Sequence, residues 1–263
     1  GEMHGMAKGS ARVFGGALVV DGNASWVETK PTNEQLRAKT REAWVELGDL
    51  NQKGGGVIGV QNLSGAQFDT IVFAERESRL WMAGSNSHAR TQSFGALEEN
   101  EAHQKPVHVA IVYQEDGTII GYRSGVPYGK PYKTGIWKFP AGNSQIIFGM
   151  RHKGGGNNYL KGKIHRAQLY ERALTPDEVA ASAGVQSSFV GEQDLAAALS
   201  QANQERRKEL QVQLAALAGR EKELTNMRSY PSGASAGAPK RPGARPGRAR
   251  GGAYTPPPRP PHG

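Results

Sequence analysis

The chain has 263 residues, of which 33 are Lys or Arg and 24 are Asp or Glu, giving a formal net charge of +9, and it contains no cysteine. At ~150 residues per domain the length suits one large domain or two smaller ones. Without cysteine, disulfides, thiolate zinc sites, cysteine nucleophiles and covalently attached c-type haem are excluded.

Glycine is abundant, at 35 residues, and apolar residues make up 37%. That mixture predicts a folded part beside a solvated part. The longest apolar runs, such as Ala17–Val20 and Ile146–Phe148, fall far short of the ~18 residues a helix needs to cross a bilayer. The opening Gly1-Glu2-Met3-His4 shows no signal peptide, as expected of a processed or excised piece.

From the N-terminus the chain reads as short strands separated by glycine-rich turns. Ala17–Val20 precedes the turn signal Asp21-Gly22, and Ser25–Thr29 follows it. Ala43–Leu47 alternates, Val57–Val60 leaves a triple glycine, and Thr70–Phe73 and Leu80–Met82 come next. The strongest hairpin pairs Val107–Tyr113 with Thr118–Arg123 across Gln114-Glu115-Asp116-Gly117. Val107, Val109, Ile111 and Tyr113 share one face of that strand, which makes it the inward face. On the same alternation His108 and His165 fall on exposed sheet faces. Gln145–Met150 and Lys163–Tyr170 complete ten to thirteen strands, with turn signals every 8–12 residues, the pattern of an antiparallel β-sandwich. Thr175-Pro176-Asp177-Glu178 then opens a short helix: Thr175 caps it, Pro176 fits the first turn and Glu178 completes a capping box.

The predicted domains are the sandwich at 1–185, an amphipathic helical linker at 186–228 and a disordered basic tail at 229–263. Residues 192–228 hold no proline, and Leu210, Leu214, Leu217 and Leu224 recur at helical spacing. Arg207 and Glu221 interrupt the heptad seam, which favours a helix packed on its own domain or in a short hairpin over a long coiled coil. The tail carries Lys240, Arg241, Arg245, Arg248, Arg250 and Arg259, no acid, and nine of the 15 prolines. So little apolar surface cannot offset the entropy of ordering it.

The stretch Leu160–Val179, with its Tyr170-Glu171-Arg172-Ala173-Leu174 corner leading into the capped helix, resembles the closing signature of laminin-G-like, concanavalin A-like lectin/glucanase sandwiches. The hairpin Val107–Arg123 followed by Gly125 is similar to that family's central pair, and the likeness spans about residues 10–182. Thr40–Val45, Gly54–Gln61, Phe68–Phe73 and Phe148–His152 resemble, more narrowly, the laminin-G-type modules of large planctomycete surface proteins. In those proteins the module lies between a cytochrome-like haem region and domains of unknown function. The chain departs from them in having no haem motif and in ending with its Pro/Arg tail. The resemblance implies a jelly-roll sandwich, an extracellular, cell-surface or periplasmic location, and non-catalytic binding of a glycan or a protein surface within a larger exported bacterial protein.

Four sets of residues compete for function. Sugar binding draws on aromatic faces and planar polar groups, and strand ends gather Trp81, Asn86 and Arg90, then Tyr122 and Arg123, then Arg151 and His152. Sandwich glucanases of the resembled fold carry carboxylates two positions apart on a strand, and Glu75 and Glu77 have that spacing; Arg76 between them, and the lack of a third acid at the family's offset, favour a strand end over a catalytic pair. Calcium is the cofactor the resemblance allows, held on a rim by Asp or Asn oxygens. Asp69, Asn86, Asp116, Asn157 and Asn158 are the available ligands, but they form no local cluster, so no metal or other cofactor is assigned. The tail segment Arg245–Gly252 resembles RG-rich nucleic-acid-binding segments, whose cations displace counterions from phosphates. Only Tyr254 interleaves an aromatic, which argues against base stacking and against a nucleic-acid partner.

Overall fold

A computed structural model describes residues 4–156, 159–187 and 201–228. The chain divides into two compact units, Gly1–Glu192 and Gln193–Gly263. Among the described residues the first contains fourteen strands in two antiparallel sheets. The six-stranded sheet runs β1 (Gly5–Lys8), β4 (Trp26–Thr29), β13 (Ser144–Phe148), β6 (Gly55–Asn62), β7 (Phe68–Phe73) and β8 (Trp81–Ser85). The eight-stranded sheet runs β11 (Val126–Pro127), β10 (Thr118–Arg123), β9 (Val107–Tyr113), β5 (Lys39–Leu47), β14 (Lys161–Tyr170), β3 (Ala17–Asp21) and β2 (Arg12–Phe14), with β12 (Tyr132–Lys133) beside β10.

The core lies between the sheets. Val45, Leu47, Val109 and Ile111 from one sheet meet Val60, Ile71, Phe73, Trp81 and Ile146 from the other. All four residues expected on the inward face of β9 are in this core. The Asp21-Gly22 turn joins strands of different sheets, since β3 and β4 never pair. It is a corner from one layer to the other. Ser25 fixes it, accepting from the Asp21 amide at 2.8 Å and donating to the Asp21 carboxylate at 2.5 Å.

The expectation for His108 is overturned. It is 4% exposed, because α1 (Pro176–Ser182) covers the outer side of β9. Ala110, Val112 and Tyr122 form a second apolar cluster with Leu174 and Val179. His108 pairs with Glu42 at 3.0 Å, and Glu42 also accepts from the Tyr170 and Ser182 hydroxyls at 3.0 and 2.6 Å. Burial opposes ionisation of Glu42, and these hydrogen bonds outweigh it, holding its carboxyl below the ordinary range. Alternation along β9 alone cannot reveal a second cover, so only the position of α1 separates a wet face from a dry one. His165 does lie on an exposed face, 3.3 Å from Glu46.

The capping box of α1 forms as expected. Thr175 Oγ1 accepts from the Glu178 amide at 3.3 Å, and the Glu178 carboxylate accepts from the Thr175 amide at 2.8 Å. In the second unit α2 (Gln201–Arg228) is a single helix, with Leu210, Leu214, Leu217 and Leu224 exposed along it. The basic tail at 229–263 lies outside the described residues.

Candidate functional site

The connection between β13 and β14 folds back over the outer face of the six-stranded sheet. Alternation puts Gln61, Phe68 and Thr70 on that face, with Glu28 at its far side. Each holds part of the loop. Thr70 Oγ1 donates to the Arg151 carbonyl at 2.7 Å, Gln61 accepts from the Lys153 amide at 2.9 Å, and Lys153 reaches Glu28 at 3.2 Å. Phe68 stacks on His152 with ring centroids 4.1 Å apart and planes 6° from parallel. Close approach requires glycine beneath the loop: a Cβ on Gly56 would stand 2.4 Å from Arg151 backbone atoms.

The pinned loop presents Arg151 to Glu75. Arg151 Nη1 donates to Glu75 at 3.1 Å and Nη2 to the Gly156 carbonyl at 2.9 Å. His88, in the one-turn segment Asn86–His88 after β8, lies 3.8 Å from the same carboxylate oxygen. The second Glu75 oxygen is buried with no hydrogen-bond partner. Burial raises the Glu75 pKa above its ordinary value, against the opposing pull of Arg151, His88 and Arg76. His152 is pushed the other way by burial and by the neighbouring Arg151. Its Nδ1–H donates to the Lys153 carbonyl at 2.7 Å. At the far side of the face Trp26 and Tyr159, both partly exposed, sit with centroids 5.7 Å apart. A buried carboxyl, a guanidinium and two imidazoles thus lie together on one surface, and Asn86 is exposed in the same short segment as His88. Such a set can orient a polyhydroxylated or polar ligand by hydrogen bonds.

The sequence-derived residues separate into two groups. Arg151 and His152 lie on this surface, while Asn86 is exposed in the segment that carries His88 and accepts from Ser87 Oγ at 3.3 Å. Trp81, Arg90 and Tyr122 are buried, at 1–2% exposure, and present nothing at a rim. Trp81 Nε1 donates to Glu99 at 2.9 Å, and Arg123 makes a bidentate pair with the same carboxylate at 2.8 and 3.0 Å. Arg90 closes on Asp69 with two bonds of 2.9 and 2.8 Å. Tyr122 lies beneath α1. The sequence reasoning passed over Trp26, Phe68 and Tyr159, which the fold brings to this face. A weak signal was available in Trp26 and Glu28 standing two apart on a strand.

Glu75 and Glu77 lie in the turn after β7, beyond the strand on which their pairing was considered. Glu75 turns to Arg151, whereas Glu77 accepts from Ser93 Oγ at 2.8 Å. Of the calcium candidates, Asp69 is engaged by Lys39 and Arg90, and Asp116 by Lys133 at 2.8 Å. Asn157 and Asn158 lie outside the described residues. Among the described residues no three Asp, Glu, His or Cys side chains are grouped to share a metal ion, and no helix is long and apolar enough to cross a membrane. A separate cleft of 670 Å³ opens between the sheets near β1 and β14; Ile58, Ile146, Phe148 and Leu169 line it, with Thr29 and Arg172 as polar neighbours.

Two face-packed antiparallel sheets, closed by a capped helix after the last strand, define a sandwich of the lectin and glucanase type. Residues 21–180 match the family model of the concanavalin A-like lectin/glucanases superfamily, and the chain belongs to that family. Solved structures of like fold include domain 4 of AbnA, a GH43 extracellular arabinanase from Geobacillus stearothermophilus, in complex with arabinotriose. Identity to it is 18% and the TM-score 0.50, over 70% of this chain and 82% of that domain. Another is the sialidase of Trypanosoma rangeli in complex with the inhibitor DANA, at 16% identity and a TM-score of 0.51. That match covers 69% of this chain and 29% of the sialidase, so the sandwich spans less than a third of that enzyme. A search of curated protein sequences gave no match.

Proposed function

We propose that the sandwich is a non-catalytic binding module for carbohydrate, acting within a larger exported bacterial protein. The ligand is taken on the outer face of the six-stranded sheet, between the β13–β14 loop and the segment Asn86–His88. The observation that carries this reading is the Arg151 guanidinium, fixed by Glu75 and the Gly156 carbonyl beside the stacked His152 and Phe68. Planar donors held in place before the ligand arrives lose little entropy on binding. The partly exposed Trp26 and Tyr159 supply the apolar faces that sugar rings stack on. The membership of the family supports the reading, as does the likeness to an arabinanase domain solved with an oligosaccharide. Glu75 is partnered by a guanidinium, while Glu77 turns to a serine. Those separate engagements favour binding over glycoside hydrolysis, which needs two carboxyls flanking one bond.

The test is a glycan array probed with the full chain, with calcium and with chelator. Saturable binding to one sugar class supports the reading. Binding to no glycan under either condition refutes it and leaves a protein surface as the partner. Loss with chelator alone would bring calcium into the site.

A further inference from the structure

A second polar cluster is sealed inside the sandwich, away from the surface just described. Lys39 and Arg41 on β5 point between the sheets, beside Tyr113 on β9. Asp69 faces them from β7, and Arg90 enters from the segment after β8. Lys39, Arg41 and Asp69 are 0% exposed, and Arg90 is 2% exposed. All three cations crowd one ring: Lys39, Arg41 and Arg90 stand 4.5, 4.7 and 5.0 Å from the Tyr113 centroid.

Their charge is not balanced. Asp69 is the one carboxylate described in the cluster, and it is taken by Lys39 at 2.8 Å and by Arg90 at 2.8 and 2.9 Å. The Nε, Nη1 and Nη2 of Arg41 are all buried with no hydrogen-bond partner, as are Nη2 of Arg90 and the hydroxyl of Tyr113. Burial lowers the Lys39 pKa to about 8, yet near neutral pH three positive groups still face one negative one. Burial and Asp69 keep the Tyr113 hydroxyl protonated, against the pull of the two arginines, so it too is a donor. A guanidinium removed from water without an acceptor is costly, and an uncompensated buried charge costs more than a neutral one.

The unpaired atoms are donors, with only the Tyr113 oxygen also able to accept. A water molecule placed among them would need acceptors for its own two hydrogens. An anion needs none. A monatomic anion is satisfied by several N–H and O–H groups at once and is the smallest such group to admit into a close-packed interior. We propose that the sandwich interior binds a small monovalent inorganic anion, chloride in ordinary buffers, held by Arg41 with help from Arg90 and Tyr113. The ion would offset charge at the end of the sandwich where β5 and β9 meet β7, and so link the two sheets.

A ligand that binds only the folded chain stabilises it by mass action. The experiment is equilibrium unfolding of the full chain in urea, with chloride varied against gluconate at fixed ionic strength. The expected result is an unfolding constant that falls about tenfold for each tenfold rise in chloride above half-saturation. Bromide should substitute for chloride, and Arg41→Met should abolish the dependence. A flat response in the wild type, or an equal response in wild type and Arg41→Met, overturns the proposal. Should Arg41→Met fail to fold, crystals of the wild-type chain grown in bromide decide. An anomalous peak within hydrogen-bond reach of Arg41 supports the site, and water or nothing there overturns it.

Discussion

Glu99 gives the sharpest quantitative expectation. Its carboxylate is fully buried and accepts from Trp81 Nε1, from Arg123 through two nitrogens, and from the Glu101 and Ala102 amides. Burial alone would raise its pKa. The Arg123 and Trp81 hydrogen bonds more than reverse that and bring it to about 2, against an ordinary 4.5. That depression corresponds to about 3 kcal/mol at pH 7. Arg123 is 26% exposed, so rehydration of its guanidinium in a variant reduces the expected cost to about 2–3 kcal/mol. Glu99→Gln keeps the shape and removes the charge. For a domain of this size it should lower Tm by about 5–10 °C at pH 7.

The pH dependence has a definite direction. A carboxylate with a depressed pKa contributes fully above the unfolded value of 4.5 and loses its contribution as pH falls towards about 2. The gap between wild type and Glu99→Gln should therefore narrow steadily across that window. Thermal unfolding at pH 7, 4 and 2.5, with a urea series at each pH, reads it. A loss below about 1 kcal/mol at pH 7, or a gap independent of pH, would refute the reasoning.

Other substitutions probe separate parts of the molecule. Thr175→Ala removes the α1 cap and should cost about 1 kcal/mol, read as a small fall in Tm with the fold retained. Gly56→Ala forces a side chain into the Arg151 backbone, 2.4 Å away; proteolysis of the β13–β14 loop should quicken while the sandwich still unfolds cooperatively. Trp26→Ala should weaken glycan binding at least severalfold with little change in Tm, since Trp26 is only partly buried. Deletion of residues 229–263 should leave glycan binding unchanged, and any affinity for nucleic acid that survives the deletion cannot belong to the tail.

The strands were legible because their signals are local. β9 and β10 begin and end where alternation and the Asp116-Gly117 turn place them, and the Thr175–Glu178 box marked the start of α1. The edge strands β1 and β2 were missed. They span four and three residues and are largely exposed, so they carry no apolar alternation to read. The site was less legible, because residues far apart in sequence form it. Arg151 meets Glu75 across 76 positions, and Phe68 meets His152 only through the folding back of the loop. Trp81, Tyr122 and Arg90 looked like surface groups for a related reason. Their polar partners, or the cover above them, come from distant segments: Glu99, α1 and Asp69. An aromatic or an arginine at a strand end has the same local sequence whether it meets water or a buried carboxylate.

The central claim is that a glycan binds where Arg151 is held by Glu75. The most direct measurement is the same glycan array probed in parallel with the wild-type chain and with Arg151→Ala, after circular dichroism has confirmed that both are folded. The expected result is saturable wild-type binding to one sugar class that falls at least tenfold in the variant. Equal binding by the two proteins, or no binding by the wild type, would contradict it.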